Sequence, residues 1–283
     1  MEIKFCDVSF GYDNGTLIKD AILENINLVF ETGNIYGIIG KSGSGKSTLL
    51  QMINGLLLPT SGKVMVGKYK LQSDSKQKNL KQLRSNIGFV FQFPEEQFFC
   101  STVREEIEYG MKNFDVKLNV MEKQTSDALK MVGLTDDYLD YDPFSLSHGE
   151  MRKVALASIL AYNPKIILLD EPTVGLDDNG KKNLIKIIRN LKLRYKKTVI
   201  IVSHDTDFLL KITDQIVLLD SGKVLLSGNK YEVLGNENVL KKCNVKVPDI
   251  LSFSNLVNRK KNIKIGYRDD INDLIKDIYR YVK

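Results

Sequence analysis

The stretch Gly40-Lys41-Ser42-Gly43-Ser44-Gly45-Lys46-Ser47-Thr48 decides how the rest of the chain is read. It fits the pattern G-x-x-x-x-G-K-[ST]. With glycine at about 7% of residues, such a match arises by chance in roughly one chain per hundred of this length. Its setting sharpens it. Ile35–Ile39 before it is short and wholly apolar, as expected of a strand buried on both faces. Lys46–Leu58 after it predicts a helix. A strand, a glycine-rich turn and a helix start are what phosphate binding needs. Glycines let backbone N–H groups curl around phosphate oxygens, where a side chain would block approach. The helix N-terminus adds unpaired donors and a positive dipole. Lys46 is then expected to place its charge on the β- and γ-phosphates, and Ser47 its hydroxyl on Mg²⁺.

The other half of such a site should be acidic and should end another buried strand. Ile166-Ile167-Leu168-Leu169-Asp170-Glu171-Pro172 supplies four apolar residues and then two carboxylates. Asp170 is placed to orient Mg²⁺, and Glu171 to polarise an attacking water.

Outward from these two anchors the pattern alternates. Ile3–Phe10 and Ile26–Phe30 predict antiparallel-type strands. Lys63–Val66, Ile87–Phe91 and Thr198–Val202 predict further strands, and Gln215–Leu219 with Lys223–Ser227 a strand pair around Ser221-Gly222. Helices are expected over Val103–Val132 with a loop at Asn113–Asn119, then over Gly149–Tyr162, Asn183–Tyr195 and Asp207–Ile212. This ordering implies an α/β domain on a mostly parallel sheet, residues 1–230. Residues 231–283 carry helical patterns at Asp249–Asn258 and Asp269–Val282 and read as a small C-terminal helical extension.

The chain has 283 residues, 43% apolar and 27% charged, which excludes disordered and collagen-like classes. No apolar run approaches the roughly 20 residues of a membrane span. Met1–Phe10 carries Glu2 and Asp7 and does not read as a secretory signal. Cys6, Cys100 and Cys243 form no CxxC pair, so reduced thiols are expected. The net charge of +6 specifies neither lipid nor nucleic acid, and the basic stretches Lys68–Arg84 and Arg259–Arg268 read as solvated surface.

Between the anchors lies Leu146-Ser147-His148-Gly149-Glu150-Met151-Arg152. Here the sequence resembles the ATP-binding cassette (ABC) ATPases, a P-loop NTPase family whose signature is usually L-S-G-G-Q. Other marks stand in the family's order. Tyr12 resembles the aromatic residue that stacks on adenine. Gln92 resembles the Q-loop glutamine that touches Mg²⁺, Gly175-Leu176-Asp177 the D-loop, and Ser203-His204-Asp205 the loop whose histidine contacts the γ-phosphate. The resemblance implies an N-terminal antiparallel β subdomain, a helical subdomain at about 93–160, and ATP with Mg²⁺ as ligands. Glu171 and His204 would be catalytic, Ser47, Gln92 and Asp170 the metal set, and Tyr12 and Gly40–Thr48 the nucleotide's own cradle. Ser147, Gly149 and Asp177 would act across a dimer interface.

Closer wording narrows the resemblance. Phe91-Gln92-Phe93-Pro94-Glu95-Glu96-Gln97-Phe98-Phe99 followed by Thr102-Val103 is similar to a segment of energy-coupling factor (ECF) transporter ATPases. Tyr109-Gly110, Asn113-Phe114, the long first hairpin at Phe10–Ala21 and Val247-Pro248 extend the likeness. The F-Q-F-P-E form points to the second of the two paralogous ATPases of such systems, the A-prime or CbiO-like type. That resemblance implies a peripheral subunit on the cytoplasmic face of the cell membrane, paired with a paralogous ATPase or, as the alternative, with a second copy of itself. Its Phe93–Phe99 segment would dock a transmembrane coupling protein, with Glu95 and Glu96 receiving basic residues. A separate membrane protein would bind a micronutrient, a vitamin or transition-metal ion. ATPases of other ABC transporters, and soluble ABC ATPases acting on ribosomes or nucleic acid, are the competing classes. The single cassette and the lack of aromatics interleaved with the basic stretches disfavour a nucleic-acid partner.

The signature departs from the pattern twice. His148 stands at the first glycine and Glu150 at the glutamine. A β-carbon and imidazole are expected to crowd the partner's phosphate, and the extra carboxylate to have a smaller effect.

Overall fold

The computed structural model describes residues 1–11, 21–75, 80–261 and 265–282. Its strands run in chain order as β1 (Ile3–Gly11), β2 (Ala21–Phe30), β3 (Ile35–Ile39), β4 (Ser61–Val66), β5 (Tyr69–Leu71), β6 (Ile87–Val90), β7 (Ile166–Asp170), β8 (Thr198–Val202), β9 (Gln215–Asp220) and β10 (Lys223–Asn229). They form two sheets. An antiparallel sheet has the order β2-β1-β4-β5, and a larger sheet the order β10-β9-β3-β8-β7-β6. In the larger sheet β9, β3, β8, β7 and β6 are parallel, and β10 is an antiparallel edge.

The helices are α1 (Lys46–Ile53), α2 (Leu80–Arg84), α3 (Val103–Asn113), α4 (Leu118–Met131), α5 (His148–Ala161), α6 (Asp178–Leu193), α7 (Thr206–Ile212), α8 (Lys230–Leu234), α9 (Glu237–Lys242), α10 (Asp249–Lys261) and α11 (Ile271–Val282). β3 and β8 are buried along their whole length, which is why they read as unbroken apolar runs. The residues of β3, β7 and β8 divide between two cores. Tyr36, Ile38, Leu168 and Ile200 pack under the antiparallel sheet and α1. Ile35, Ile39, Leu169 and Ile201 pack against the helices on the other face. That second core takes Ile107 and Met111 of α3, Leu129 of α4, Val154 of α5 and Ile188 of α6. It also takes Leu234, Leu240 and Leu251, so α8–α10 are seated on it.

Element ends differ from the sequence expectation for local reasons. α1 stops at Ile53 rather than Leu58 because Gly55 turns the chain at φ +66°. Arg84 caps the exit by donating to the carbonyls of Asn54 (3.3 Å) and Gly55 (3.0 Å). α6 starts at Asp178 rather than Asn183 because Asp177 is its N-cap and accepts from Gly180 N–H at 2.7 Å. β2 starts at Ala21, with Leu23 fully buried, rather than at Ile26. The loop between α3 and α4 is the short stretch Phe114–Lys117.

Candidate nucleotide site

The parallel strands deliver the site at their C-terminal ends, where open α/β sheets bind ligands. β3 runs into the glycine-rich loop, and Gly45 in left-handed conformation (φ +97°) opens α1 without a side-chain cap. No acidic residue sits in the first turn of α1. The helix start therefore keeps its N–H donors and positive end for an anion. Gly40 has φ +149°, and a β-carbon there would lie 2.1 Å from the Leu219 carbonyl oxygen. A β-carbon on Gly43 would meet nothing within 4 Å, so that turn of the loop faces open space. The Ser44 hydroxyl is buried with no hydrogen-bond partner in the protein.

Lys46 is only 7% exposed. Its ammonium donates to the carbonyls of Gly40 and Lys41, both at 2.9 Å, and so lies across the mouth of the loop. Burial lowers its pKa against the opposing pull of Glu171 and Asp170. Lys41 is turned outward, 3.0 Å from Asp220 and 3.2 Å from the Ser221 hydroxyl on the β9–β10 turn.

β7 carries Asp170 and Glu171 to the same edge. Asp170 is held up in pKa by burial, opposed by a hydrogen bond from Ser47 and by the Lys46 charge. Glu171 sits at φ +49° just past the strand, where its N–H donates to Val202 O at 2.9 Å. One carboxylate oxygen accepts from the His204 backbone N–H at 3.2 Å. The other lies 3.2 Å from His204 Nε2 but makes no aligned hydrogen bond, and it is buried. Burial raises the Glu171 pKa, opposed by the His204 N–H and Lys46. Burial, then Lys46, lowers that of His204, which keeps the imidazole neutral near pH 7. A desolvated carboxylate with a free lone pair beside a neutral imidazole can accept a proton from water.

The signature opens α5. Ser147 is its N-cap in a reciprocal capping box with Glu150. Ser147, His148 and Gly149 are exposed, and a β-carbon on Gly149 would meet nothing within 4 Å. One turn on, Arg152 is 16% exposed and pairs at 3.0 Å with Glu95, itself 11% exposed. Arg152 also donates to Val174 O at 2.6 Å, beside the Gly175-Leu176-Asp177 turn.

A sequence model of the ABC transporter family matches residues 23–174. The energy-coupling factor transporter ATP-binding protein EcfA2 of Staphylococcus epidermidis is 37% identical over 263 residues, 93% of this chain and 92% of its own. The chain belongs to the ECF branch of the ABC ATPases. The structure of cbiO1 from Clostridium perfringens, described as part of the ABC transporter complex cbiONQ, superposes with a TM-score of 0.75. It is 32% identical and covers 89% of this chain and 97% of its own. A dimeric ATP-binding cassette, MJ0796, in a post-hydrolysis state with ADP and Pi, follows at TM-score 0.71 and 31% identity, covering 81% and 98%. This ECF ATPase thus hydrolyses ATP in the service of transport, on the mixed fold with an antiparallel sheet and helical part that its relatives share.

The structure brings Gly40–Thr48, Asp170, Glu171 and His204 to one edge of the sheet. Ser147, Gly149 and Asp177 stand apart on the starts of α5 and α6, lining a neighbouring cleft. Gln92 is exposed just after β6. Tyr12 and the hairpin tip Gly15-Thr16 lie outside the described residues. The Phe93–Phe99 segment corrects one expectation: Glu95 is not free to receive a basic partner, because Arg152 holds it. Glu96 is exposed, as are Phe93 (37%) and Phe99 (62%), whereas Phe98 is core. The sequence reading missed Arg152, although its place one turn before the buried Leu156 puts it on the apolar face of α5, where an arginine needs an acidic mate.

Proposed function

We propose that this ATPase powers an ECF-type importer of a micronutrient, a vitamin or transition-metal ion. It would pair head-to-tail with a paralogous ATPase and dock, peripherally on the cytoplasmic face of the membrane, on a transmembrane coupling protein. A separate membrane protein would select the substrate. The observation that carries this reading is the edge at Phe93–Phe99. Exposed Phe99 lines a groove of about 180 Å³ whose walls include Phe91, Tyr109 and Tyr162, and exposed Phe93 and Glu96 stand on the same segment. Exposed aromatics on a polar-rimmed groove suit an apolar helix with a basic residue beside it. Among the described residues no helix is long and apolar enough to cross a membrane.

Within the chain, Gly40–Thr48 would wrap the phosphates and Tyr12 would hold adenine. Ser47, Asp170 and Gln92 are hard oxygen donors that fit Mg²⁺. Mg²⁺ supplies charge that offsets the developing negative charge on the phosphates. Lys46 adds a fixed positive charge at the same place. Glu171 would take the proton of the attacking water on its free oxygen, and His204 would hold the γ-phosphate oxygens. Ser147, Gly149 and Asp177 would complete the partner's site. The test is to tag the chain in its own cells and identify what extracts with it from membranes. A second ABC ATPase with multi-span membrane proteins is the expected catch. Recovery with ribosomal proteins alone would overturn the transport reading while leaving the ATPase in place.

A further inference from the structure

We propose that Glu150 is a positioning residue that draws the Ser147 hydroxyl proton away from the nucleotide face, so that this chain's signature serves its partner's ATP weakly. The proposal rests on the head-to-tail pairing above. A serine hydroxyl has one proton to give. Here it goes to Glu150 Oε2, at 2.6 Å. The same carboxylate oxygen accepts from the Ser147 backbone N–H at 3.0 Å, and Ser147 Oγ in turn accepts from Glu150 N–H at 3.4 Å. The other oxygen, Oε1, is fixed by the Tyr138 hydroxyl at 2.7 Å. Three donors thus pin the carboxylate against Ser147. What Ser147 Oγ presents outward is lone pairs, and phosphate oxygens are acceptors as well.

A carboxylate can only accept, and an ionised acceptor holds a proton about twice as firmly as a neutral one. The Ser147 hydroxyl, then Tyr138, keeps Glu150 ionised below the usual carboxylate range. Glutamine at this position would keep the helix cap, since either residue closes the box. It would hold the serine proton only as a neutral acceptor and would remove a negative charge beside the phosphate. The device is separate from His148, which adds bulk without touching the Ser147 proton.

The experiment compares ATP turnover of the purified assembly carrying the native chain, Glu150→Gln, Ser147→Ala or both changes. Halving a charge-assisted hydrogen bond corresponds to about a five- to tenfold rise in kcat for Glu150→Gln. Ser147→Ala in the Glu150→Gln background should abolish that rise, because the gain runs through the freed hydroxyl. Turnover of Glu150→Gln within twofold of native, at an unchanged melting temperature, would overturn the proposal. So would a gain that survives Ser147→Ala. If the chain forms no pair by sedimentation with Mg²⁺ and ATP, either alone or mixed with the co-purified second ATPase, the pairing fails and the proposal with it. A paired chain indifferent to Glu150→Gln sinks the proposal alone.

Discussion

Arg152 ties three parts of the molecule together, and its removal should be felt in a specific way. The guanidinium donates to both carboxylate oxygens of Glu95 and to Val174 O. Both side chains are largely out of water. Arg152→Met therefore leaves a buried carboxylate without its counter-charge and a carbonyl without its donor. Breaking one side of such a pair costs about 3–5 kcal/mol. The entropy of unfolding is about 2.1 cal/mol/K per residue. Over 283 residues, that loss lowers Tm by about 5–8 °C. Replacing both partners, Arg152→Met with Glu95→Leu, removes the stranded charge along with the pair, and most of the Tm should return. Calorimetry of the three variants and the native chain checks this. A single-variant drop under about 2 °C, or a double variant no better than the single, would refute the view that Glu95 is held by Arg152 rather than offered to a partner.

Gly40→Ala should weaken ATP binding at least tenfold in a fluorescent-nucleotide titration, since its β-carbon would strike the Leu219 carbonyl at 2.1 Å; Gly43→Ala, strained only in φ, should be milder. Glu171→Gln should cut hydrolysis by about 10²–10⁴-fold while nucleotide still binds. The raised pKa of Glu171 means that the native state binds its proton more tightly than the unfolded chain does. Its contribution to stability therefore falls as pH rises from the ordinary glutamate value through the folded one. The nucleotide-free Glu171→Gln protein should accordingly melt above native at pH 7–8, with the gap closing below about pH 4; an equal or lower Tm at pH 7 would count against a desolvated base. His148→Gly should raise turnover of the assembled complex, and no change or a fall would contradict the crowding of the partner's phosphate.

The candidate site is legible in sequence because its residues are local. Gly40–Thr48 and Ile166–Glu171 each place a complete structural instruction, strand then turn, within a few residues. Asp170 and Glu171 follow their strand directly, so one apolar run fixes both. What sequence did not carry is contact between distant segments. Glu95 reads as a surface acid until Arg152, 57 positions away, is seen across from it. Ser147-x-x-Glu150 is a legible capping-box spacing, but the bond that Glu150 accepts from Tyr138, 12 positions away, is not. β5 escaped because three residues are too few for alternation to register. α8 and α9 escaped periodicity for the same reason of length, although Asn229 with Glu232 is a legible capping box and Asn236 a legible N-cap. Sequence places the start of α6 late because its apolar rhythm begins at Leu184, well inside the helix.

The central sheet is a party wall. Along β7, Ile166 and Leu168 belong to the core beneath the antiparallel sheet, while Ile167 and Leu169 belong to the core under the helices. The same alternation holds for Tyr36 and Ile38 against Ile35 and Ile39, and for Ile200 and Val202 against Val199 and Ile201. Two residues joined by one peptide bond therefore live in different rooms. Methyl labels at Leu168 and Leu169 would report separately on the nucleotide-side and helix-side halves of the motor. A catalytic stroke that moves one half against the other would appear as two neighbours falling out of step.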